Sequence, residues 1–269
     1  MLRQKCVCPN CGSSHSILFE RKYVVTELRE CTDCRLLFRY PTDSESDNAA
    51  FYQQDYTEGF TTDCPTNEQL ATLLKNRFRG TEKDYSTYIS ILRSLGVRPG
   101  AQVFDYGCSW GYGAWQLREA GYCLQGYEIS KGRAAFANEK LGLNVSSSMP
   151  SAAASFDVFF SAHVLEHVPS IQHVIDSAKK LLRQGGLFVS FTPNGSEPFR
   201  RSNRLAFSTS WGKVHPNIIT DTFYQKAFAA SPLLLASSPF NLDVLTSWER
   251  RGNLLLDLSG PELLAAAVF

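Results

Sequence analysis

Residues 103–128, VFDYGCSWGYGAWQLREAGYCLQGYE, decide the fold that we predict for this chain. Residues 103–106 predict a short buried strand with Asp105 near its end. A glycine-rich turn and an amphipathic helix follow, and a second predicted strand, residues 122–127, leads directly to Glu128. The 23 residues from Asp105 to Glu128 are the length of one strand–turn–helix–strand unit, in which the second acid can accept both hydroxyl hydrogens of a ribose. The segment therefore predicts a nucleoside-binding α/β fold.

The spacing of the glycines separates two classes of nucleotide ligand. A dinucleotide fingerprint has G-x-G-x-x-G directly after the strand, with a helix N-terminus aimed at a pyrophosphate. Here the glycines are Gly107, Gly111 and Gly113, and position 116 is Gln. Asp105 precedes the first glycine by two residues, where a carboxylate would repel a pyrophosphate. The pattern favours a cationic ligand, with an ordinary tight turn as the alternative.

Three segments resemble the class I S-adenosylmethionine-dependent methyltransferases. The glycine turn resembles their motif I, D-x-G-x-G-x-G, with Ser109 in place of the middle glycine. Residues 156–168, FDVFFSAHVLEHV, resemble the fourth strand and the turn after it. Residues 181–189, LLRQGGLFV, resemble the helix-to-fifth-strand turn, with Gln184 replacing the usual proline.

The resemblance covers roughly residues 80–269 and implies a Rossmann-like class I methyltransferase fold of α/β class. Its sheet has seven strands in the order 3-2-1-4-5-7-6. We expect residues 240–247 and 262–269 to form the last two strands as an antiparallel edge. Residues 194–217 read as a long polar loop.

The resemblance also implies a binding site for S-adenosyl-L-methionine outside the carboxyl ends of the strands. The glycine loop would pass the methionine part, Glu128 would hold the ribose, and Ile129 would pack on the adenine. The family often has an Asp after the third strand, whereas this chain has serines there, among them Ser147. The implied cofactor-binding residues are Asp105, Tyr106, Gly107, Ser109, Gly111, Glu128, Ile129, Ser147, Ala162 and His163.

Two histidines are candidates for the catalytic base. Methyl transfer needs an acceptor lone pair aligned with the methyl–sulfur bond, and a base if the acceptor is a hydroxyl. His163 follows the fourth strand and is expected to face the acceptor pocket. His215 lies in a loop that the family commonly folds over the same pocket. The alternatives are that His163 only orients its loop and that His215 anchors Trp211.

Three further groups carry open alternatives. Glu166 and His167 match a turn that caps the next helix, but ubiquinone-biosynthesis O-methyltransferases resemble this segment with E-x-x-E-H, which is associated with a divalent cation. A metal at His163, Glu166 and His167 is therefore an alternative. Tyr52 and Tyr56 belong either to an N-terminal lid or to a packing surface. Arg200, Arg201 and Arg204 form either a solvated surface or a clamp for a phosphorylated acceptor.

The N-terminal cysteines predict a metal-binding ribbon. Cys8-Pro-Asn-Cys11 and Cys31-Thr-Asp-Cys34 are separated by 19 residues, which is a zinc-site spacing. Gly12 allows the tight turn after the first pair, and the residues between the pairs alternate enough for a hairpin. We expect a structural Zn²⁺ held by four thiolates, with a disulfide framework as the alternative. Cys6 is a possible substitute ligand, whereas Cys108 and Cys123 read as small core residues.

Length and charge limit the remaining possibilities. The 269 residues suffice for one α/β domain and a small appendage. We divide them into a zinc-binding ribbon (1–41), a linker and helical lid (42–98) and a cofactor-binding methyltransferase domain (99–269). The formal charge of +1 gives no overall basic field for nucleic acid. With no apolar run of about 20 residues and no secretory signal, we expect a cytoplasmic protein without membrane insertion.

The leading functional hypothesis is a methyltransferase that modifies a hydroxyl or carbon of a small molecule such as a sugar, a nucleotide sugar or a secondary metabolite. Chains that join a zinc ribbon to a methyltransferase resemble enzymes of bacterial glycan and natural-product pathways. The alternative is an RNA-modifying methyltransferase whose ribbon holds RNA. A second alternative is a non-catalytic module that only binds the cofactor, against which intact Asp105, Gly107 and Glu128 argue.

Overall fold

The N-terminal segment forms an antiparallel ribbon in a computed structural model that describes residues 6–42, 63–151 and 153–269. Its strands are β1 (Ser16–Lys22), β2 (Thr26–Cys31) and β3 (Leu37–Tyr40). β1 and β2 form the hairpin expected between the two cysteine pairs, and β3 adds to the other edge of β2. The predicted lid tyrosines, Tyr52 and Tyr56, lie outside the described residues.

Strands and helices alternate through most of the remaining chain, as expected for a largely parallel sheet. In chain order they are α1 (Asn67–Lys75), α2 (Ser86–Ser94), β4 (Gln102–Tyr106), α3 (Tyr112–Glu119), β5 (Cys123–Tyr127), α4 (Lys131–Leu141), β6 (Val145–Ser146), β7 (Phe156–Ala162), α5 (Ile171–Leu181), β8 (Leu182–Pro193), α6 (Glu197–Ser202), α7 (Arg204–Ser210), β9 (Asn217–Ile218), α8 (Asp221–Ala227), β10 (Leu233–Ser237), α9 (Leu242–Thr246), β11 (Leu254–Leu255) and β12 (Glu262–Val268).

Eight of these strands form one sheet in the order β6-β5-β4-β7-β8-β12-β10-β11. The first five run parallel, and β12 lies antiparallel between β8 and β10. The first seven positions have the predicted order 3-2-1-4-5-7-6, so the fold class is confirmed. The eighth strand, β11, was not predicted, because two residues are too few to give a hydrophobic period.

The central strands bury both faces, which is why their sequences are continuous apolar runs. Along β4, Val103 and Phe104 enter different clusters on opposite faces of the sheet, and Phe159 and Phe160 do the same on β7. On one face the rings of Phe159 and Phe188 stack with centroids 5.6 Å apart. This packing holds the carboxyl ends of β4, β5 and β7 in one row.

Two segments differ from the prediction. The strand expected at residues 240–247 is wrong: the strand is β10, whose residues are all buried, and α9 occupies the predicted range. Asn241 starts that helix, because its side-chain oxygen accepts a hydrogen bond from the backbone N–H of Val244 at 3.2 Å. The loop expected at residues 194–217 contains the short helices α6 and α7 and runs into β9.

The ribbon is joined to the α/β part through β9. Leu37 of β3 pairs with Ile218, and the backbone N–H of Arg39 donates to the carbonyl of Pro216 at 2.7 Å. The buried side chain of Phe38 belongs to the same apolar cluster as Phe223 of α8. The ribbon therefore packs on the α/β part and shares its core. No helix of the described residues is long and apolar enough to span a bilayer.

Candidate functional site

A cavity of about 510 Å³ opens at the carboxyl ends of β4, β5 and β7. Seven of the ten residues predicted to bind the cofactor line it. They are Tyr106, Gly107, Ser109, Glu128, Ile129, Ala162 and His163. The other three predicted residues do not line the cavity: Asp105 lies behind its wall, Gly111 begins α3, and Ser147 is exposed outside it. Met149, close to Ser147 in the sequence, lines the cavity instead.

The glycine loop after β4 is shaped by close approach and by left-handed backbone. Gly107 has φ of +80°, and a Cβ there would lie 2.5 Å from a methyl carbon of Val164. The loop thus packs directly on the turn after β7, and only glycine fits. Ser109, which replaces a family glycine, also has a positive φ of 52°. Its strained backbone is the cost of retaining the loop conformation without glycine.

Glu128 fixes the loop from the neighbouring strand. Its carboxylate is 5% exposed and accepts one hydrogen bond on each oxygen, from the backbone N–H groups of Ser109 and Ser130, both at 2.9 Å. Burial raises the pKa of Glu128, and these two N–H groups oppose that rise. Each carboxylate oxygen has a further lone-pair direction, so the group fits the two hydroxyls of a ribose.

Asp105 is a buried carboxyl group with an unsatisfied oxygen. It is 2% exposed, and its Oδ2 receives no hydrogen bond from the described residues. Burial and the charge of Glu128 raise the pKa of Asp105 to about 7. A negative charge in this position is stabilised by a nearby cation. The buried carboxyl group behind the wall therefore favours a ligand in the cavity that carries an ammonium or sulfonium group.

His163 lies in the cavity wall between two glutamates. Its Nε2 is 2.7 Å from Glu262 Oε1, and its Nδ1 is 3.5 Å from Glu166 Oε1. The side chain is 47% exposed because it faces the cavity, although protein surrounds its other sides. Burial lowers the pKa of His163, but the contacts with Glu166 and Glu262 outweigh it and raise the pKa to about 10. At neutral pH the ring is therefore an imidazolium with both nitrogens directed at carboxylates.

An aromatic wall faces the same cavity and was not predicted as part of the site. Tyr85 and Tyr88, at the start of α2, line it together with Tyr112. The hydroxyl of Tyr88 donates to Glu262 Oε1 at 2.6 Å, and burial raises its pKa, so the hydroxyl keeps its proton. Tyr85 and Tyr88 have helical spacing in the sequence, but this spacing is equally typical of the apolar face of a core helix. No local sequence pattern indicated that Glu262 belongs to the site.

The second predicted base does not reach the cavity. His215 Nδ1 is 2.7 Å from the carbonyl oxygen of Ser210, and its ring contacts the ring of His167 at a centroid distance of 4.7 Å. His167 lines the cavity, and His215 lies behind it. The expectation that His215 closes over the acceptor pocket is therefore corrected: the segment that carries it is held by β9 and the ribbon.

The predicted phosphate clamp is also separate from the cavity. Arg200 packs its guanidinium 4.7 Å from the ring centroid of Phe19, Arg201 pairs with Glu197, and Arg204 lies 3.6 Å from Glu20. Arg200 and Arg204 thus join α6 and α7 to the ribbon, whereas Arg201 pairs within α6. They do not line the described cavity, so the clamp for a phosphorylated acceptor is not supported at this location.

The four cysteines predicted as ligands come together at one end of the ribbon. Their sulfur atoms all lie within 4.8 Å of one another, with Cys8 3.6 Å from Cys34 and Cys11 3.5 Å from Cys31. These separations are well above the disulfide bond length of about 2.05 Å, and the cysteines are free thiols. Gly12, after the first pair, has φ of +72°, as the predicted tight turn requires.

The strand order and the glycine loop at the cavity define the class I S-adenosylmethionine-dependent methyltransferase fold. Residues 104–190 match the family model described as a methyltransferase domain, Methyltransf_11. The α/β part of this chain is thus a class I methyltransferase domain, and the family resemblance of the sequence is confirmed. The match includes the glycine loop, Glu128 and the turn that carries His163.

Sequence relatives match only part of the chain. A sterol 24-C-methyltransferase of Gibberella zeae is 29% identical over 110 residues, which cover 36% of this chain and 29% of that protein. A 24-methylenesterol C-methyltransferase of Oryza sativa subsp. japonica is 30% identical over 124 residues, which cover 40% and 33%. The chain thus spans about a third of the length of the curated relatives it matches.

Solved structures share the fold at low sequence identity. The geranyl diphosphate C-methyltransferase of Streptomyces coelicolor, in complex with Mg²⁺, geranyl diphosphate and S-adenosyl-L-homocysteine, has a TM-score of 0.55 at 15% identity over 85% of this chain and 98% of that chain. The plantazolicin methyltransferase BpumL, in complex with a pentazolic desmethylPZN analogue and SAH, has a TM-score of 0.52 at 13% identity over 76% of this chain and 91% of that chain. These likenesses support the fold.

Proposed function

We propose that this chain is a methyltransferase that transfers a methyl group from S-adenosylmethionine to a small-molecule acceptor. The observation that carries the proposal is the buried carboxylate of Glu128, held on the glycine loop at the edge of a cavity that also contains His163. When bound, the cofactor supplies an electrophilic methyl group on a sulfonium sulfur. The alternative of a non-catalytic binding module would leave the enclosed wall opposite the loop without a role.

Different residues of the cavity contact different parts of the cofactor. Glu128 accepts the ribose hydroxyls, Ile129 and Met149 pack on the adenine, and the backbone around Gly107 passes the methionine part. Asp105 stabilises positive charge from behind the loop. Tyrosine rings beside the cavity favour a sulfonium through cation–π attraction. Together these contacts fix the direction of the methyl group.

The acceptor proposed here is a carbon or a hydroxyl of a small molecule, and the geometry favours carbon. Both nitrogens of His163 face carboxylates, so the ring has no lone pair aimed at an acceptor, and its role is to position. An electron-rich carbon needs no base before attack, and aromatic walls suit an acceptor with an apolar part. The names of the relatives agree, since the matched sterol and geranyl diphosphate enzymes are C-methyltransferases.

We also propose that the ribbon holds one structural Zn²⁺. Four sulfur atoms that each lie about 2.3 Å from a tetrahedral zinc ion are about 3.8 Å from one another. This is close to the sulfur–sulfur distances of 3.6 Å between Cys8 and Cys34 and 3.5 Å between Cys11 and Cys31. The donor set fits because thiolates are preferred zinc ligands and four of them fill a tetrahedron. The ion would be held by Cys8, Cys11, Cys31 and Cys34.

The RNA-modifying alternative finds little support in the ribbon. Three of its basic residues are paired within the ribbon itself: Arg21 and Arg29 both contact Glu27 at 2.7 Å, and Arg35 contacts Glu30 at 2.9 Å. Such pairs leave little excess positive charge for a phosphate backbone. A small-molecule acceptor in the cavity is the better supported partner.

Calorimetric titration with S-adenosylhomocysteine, followed by assays of hydroxyl and electron-rich carbon acceptors with labelled cofactor, tests the proposal. We expect one binding site per chain and labelled product from a small molecule. Binding without turnover of any small molecule, together with methylation of RNA, would instead support the alternative.

A further inference from the structure

We propose that Glu166, His167 and His215 form a second metal site, which binds a divalent first-row transition ion such as Zn²⁺. One ligand atom from each of these residues lies within 4.8 Å of the other two. The set differs from the trio considered from the sequence, because Nε2 of His163 is directed at Glu262 and His215 takes its place.

The two imidazoles are oriented as metal ligands commonly are. Nδ1 of His167 lies 2.7 Å from the carbonyl oxygen of Val214, and Nδ1 of His215 lies 2.7 Å from that of Ser210. A carbonyl only accepts, so each Nδ1 carries the proton and each Nε2 carries the lone pair of the neutral ring. Metal-binding histidines usually donate their other N–H in this manner, which fixes the ring and raises the basicity of the ligand nitrogen.

Glu166 supplies an independent sign of a missing cation. It is 1% exposed, and neither carboxylate oxygen receives a hydrogen bond from the described residues. Its nearest cationic contacts are His163 Nδ1 at 3.5 Å and His167 Nε2 at 3.9 Å. His163 carries at most one positive charge and also faces Glu262. One imidazolium that is shared with Glu262 compensates this buried carboxylate only in part, and a divalent ion would supply the remaining positive charge.

The distances suit a shared ion after a small side-chain adjustment. Two donors at about 2.0–2.1 Å from a tetrahedral zinc are about 3.3 Å apart, whereas Glu166 Oε1 and His167 Nε2 are 3.9 Å apart. Two imidazoles and one carboxylate suit zinc and its first-row neighbours better than magnesium or calcium. Three protein ligands leave a coordination position for water or another ligand.

The site would join two parts of the fold. Glu166 and His167 belong to the turn after β7, whereas His215 precedes β9, the strand that pairs with the ribbon. Two hydrogen bonds of Asn217 already tie these segments, from its N–H to the carbonyl of Glu166 at 3.2 Å and from its side chain to the carbonyl of Val168 at 2.7 Å. An ion here would couple the docking of the ribbon to the wall of the cavity.

Metal analysis of the full chain, purified under reducing conditions and equilibrated with Zn²⁺, tests the site. Wild-type protein should retain about two zinc ions per chain after gel filtration, one of them in the ribbon. His215→Ala and Glu166→Gln should each retain about one. His173→Ala is the matched control, because His173 lines the cavity but lies outside the trio, and it should retain two.

Cobalt substitution distinguishes the two sites and guards against variants that fail to fold. The ribbon ion should give thiolate-to-cobalt charge-transfer absorption, whereas a second equivalent bound by nitrogen and oxygen should add none. Calorimetry with S-adenosylhomocysteine checks the fold of each variant. One metal ion in the wild type, two in both variants, or loss in His173→Ala as well would overturn the proposal.

Discussion

Glu128 Oε2 accepts a hydrogen bond from the backbone N–H of Ser109 at 2.9 Å, so the acid directly after β5 holds the loop directly after β4. The bond passes from one parallel strand to its neighbour and fixes Ser109 with a positive φ. The side chain expected to bind the ribose thus also shapes the loop around the methionine part. Changes at Glu128 should therefore affect binding through both contacts.

We expect Glu128→Ala to weaken S-adenosylhomocysteine binding by about 1.5–3 kcal/mol, the range for hydrogen bonds to a charged group. The cause is loss of the ribose contacts together with the bond to Ser109. Calorimetric titration measures the effect. Glu119→Ala is the matched control, since Glu119 is a partly exposed acid on α3 that contacts Arg118 at 3.6 Å, away from the cavity. Equal affinities for the two variants would contradict the assignment.

We expect Gly107→Ala to lower the free energy of unfolding by about 1–3 kcal/mol, because it combines a positive φ with overpacking. The new methyl group would lie 2.5 Å from Val164. Urea unfolding measures the change, and combining it with Val164→Ala should recover part of the loss. Gly132→Ala in α4 is the control: no atom lies within 4 Å of its added carbon, and we expect a gain of about 0.5–1 kcal/mol. Similar losses for both glycines would contradict the packing argument.

The pKa of Asp105, raised to about 7 by burial and by Glu128, predicts a pH dependence of stability. The folded state binds the proton more tightly than the unfolded state, whose pKa is about 3.9. The stability contributed by this group is fully present below about pH 4 and is lost as the pH rises through about 7. Asp105→Asn should abolish this loss, so the difference in unfolding free energy between variant and wild type should grow in favour of the variant from about pH 5 to pH 8. A difference that stays constant over this range would contradict the raised pKa.

Once an acceptor is identified, we expect His163→Ala to slow methyl transfer by about 10²-fold, the effect of misplacing a reacting group by about 1 Å. The affinity of the His163→Ala variant for S-adenosylhomocysteine should stay close to that of the wild type, since Glu128 and the glycine loop hold the nucleoside. Single-turnover kinetics and calorimetry separate the two effects. A parallel loss of cofactor affinity would mean that His163 belongs to the cofactor site and not to the acceptor side.

Removing the proposed ribbon zinc should destabilise the protein. Cys34→Ser should lose about one zinc per chain and lower the melting temperature, because the ribbon shares the core of the α/β part. Cys123→Ser is the control, since Cys123 is an exposed thiol outside the cluster and not the core residue that the sequence suggested. Retention of the full wild-type zinc content by Cys34→Ser, or no thiolate-bound zinc in reduced wild-type protein, would contradict the proposal.

Local sequence signals predicted most of the fold. The Asp105–Glu128 unit and the two cysteine pairs are recognisable because their partners lie within about 25 residues and each spacing has a physical requirement. β10 was missed because a short buried strand, Leu233–Ser237, has no alternation that separates it from a helix. The pairing of the two-residue strand β9 with the ribbon depends on contacts distant in sequence.

The same limit applies to the site. His163 was placed at the cavity from the turn after β7, but its partner Glu262 lies 99 residues later, and no local pattern joins them. The prediction for His215 was wrong: the family resemblance placed its loop over the cavity, but β9, which pairs with the ribbon, holds His215 behind His167. Tyr85 and Tyr88 could have been core or site, and only their position above the glycine loop decides between these roles.

A crystal structure of the full chain with S-adenosylhomocysteine tests the central claim most directly. We predict that the nucleoside occupies the cavity with its ribose hydroxyls within hydrogen-bonding distance of both oxygens of Glu128, and that the sulfur faces the side lined by Tyr88 and His163. A nucleoside bound elsewhere, or a ribose out of reach of Glu128, would contradict the account.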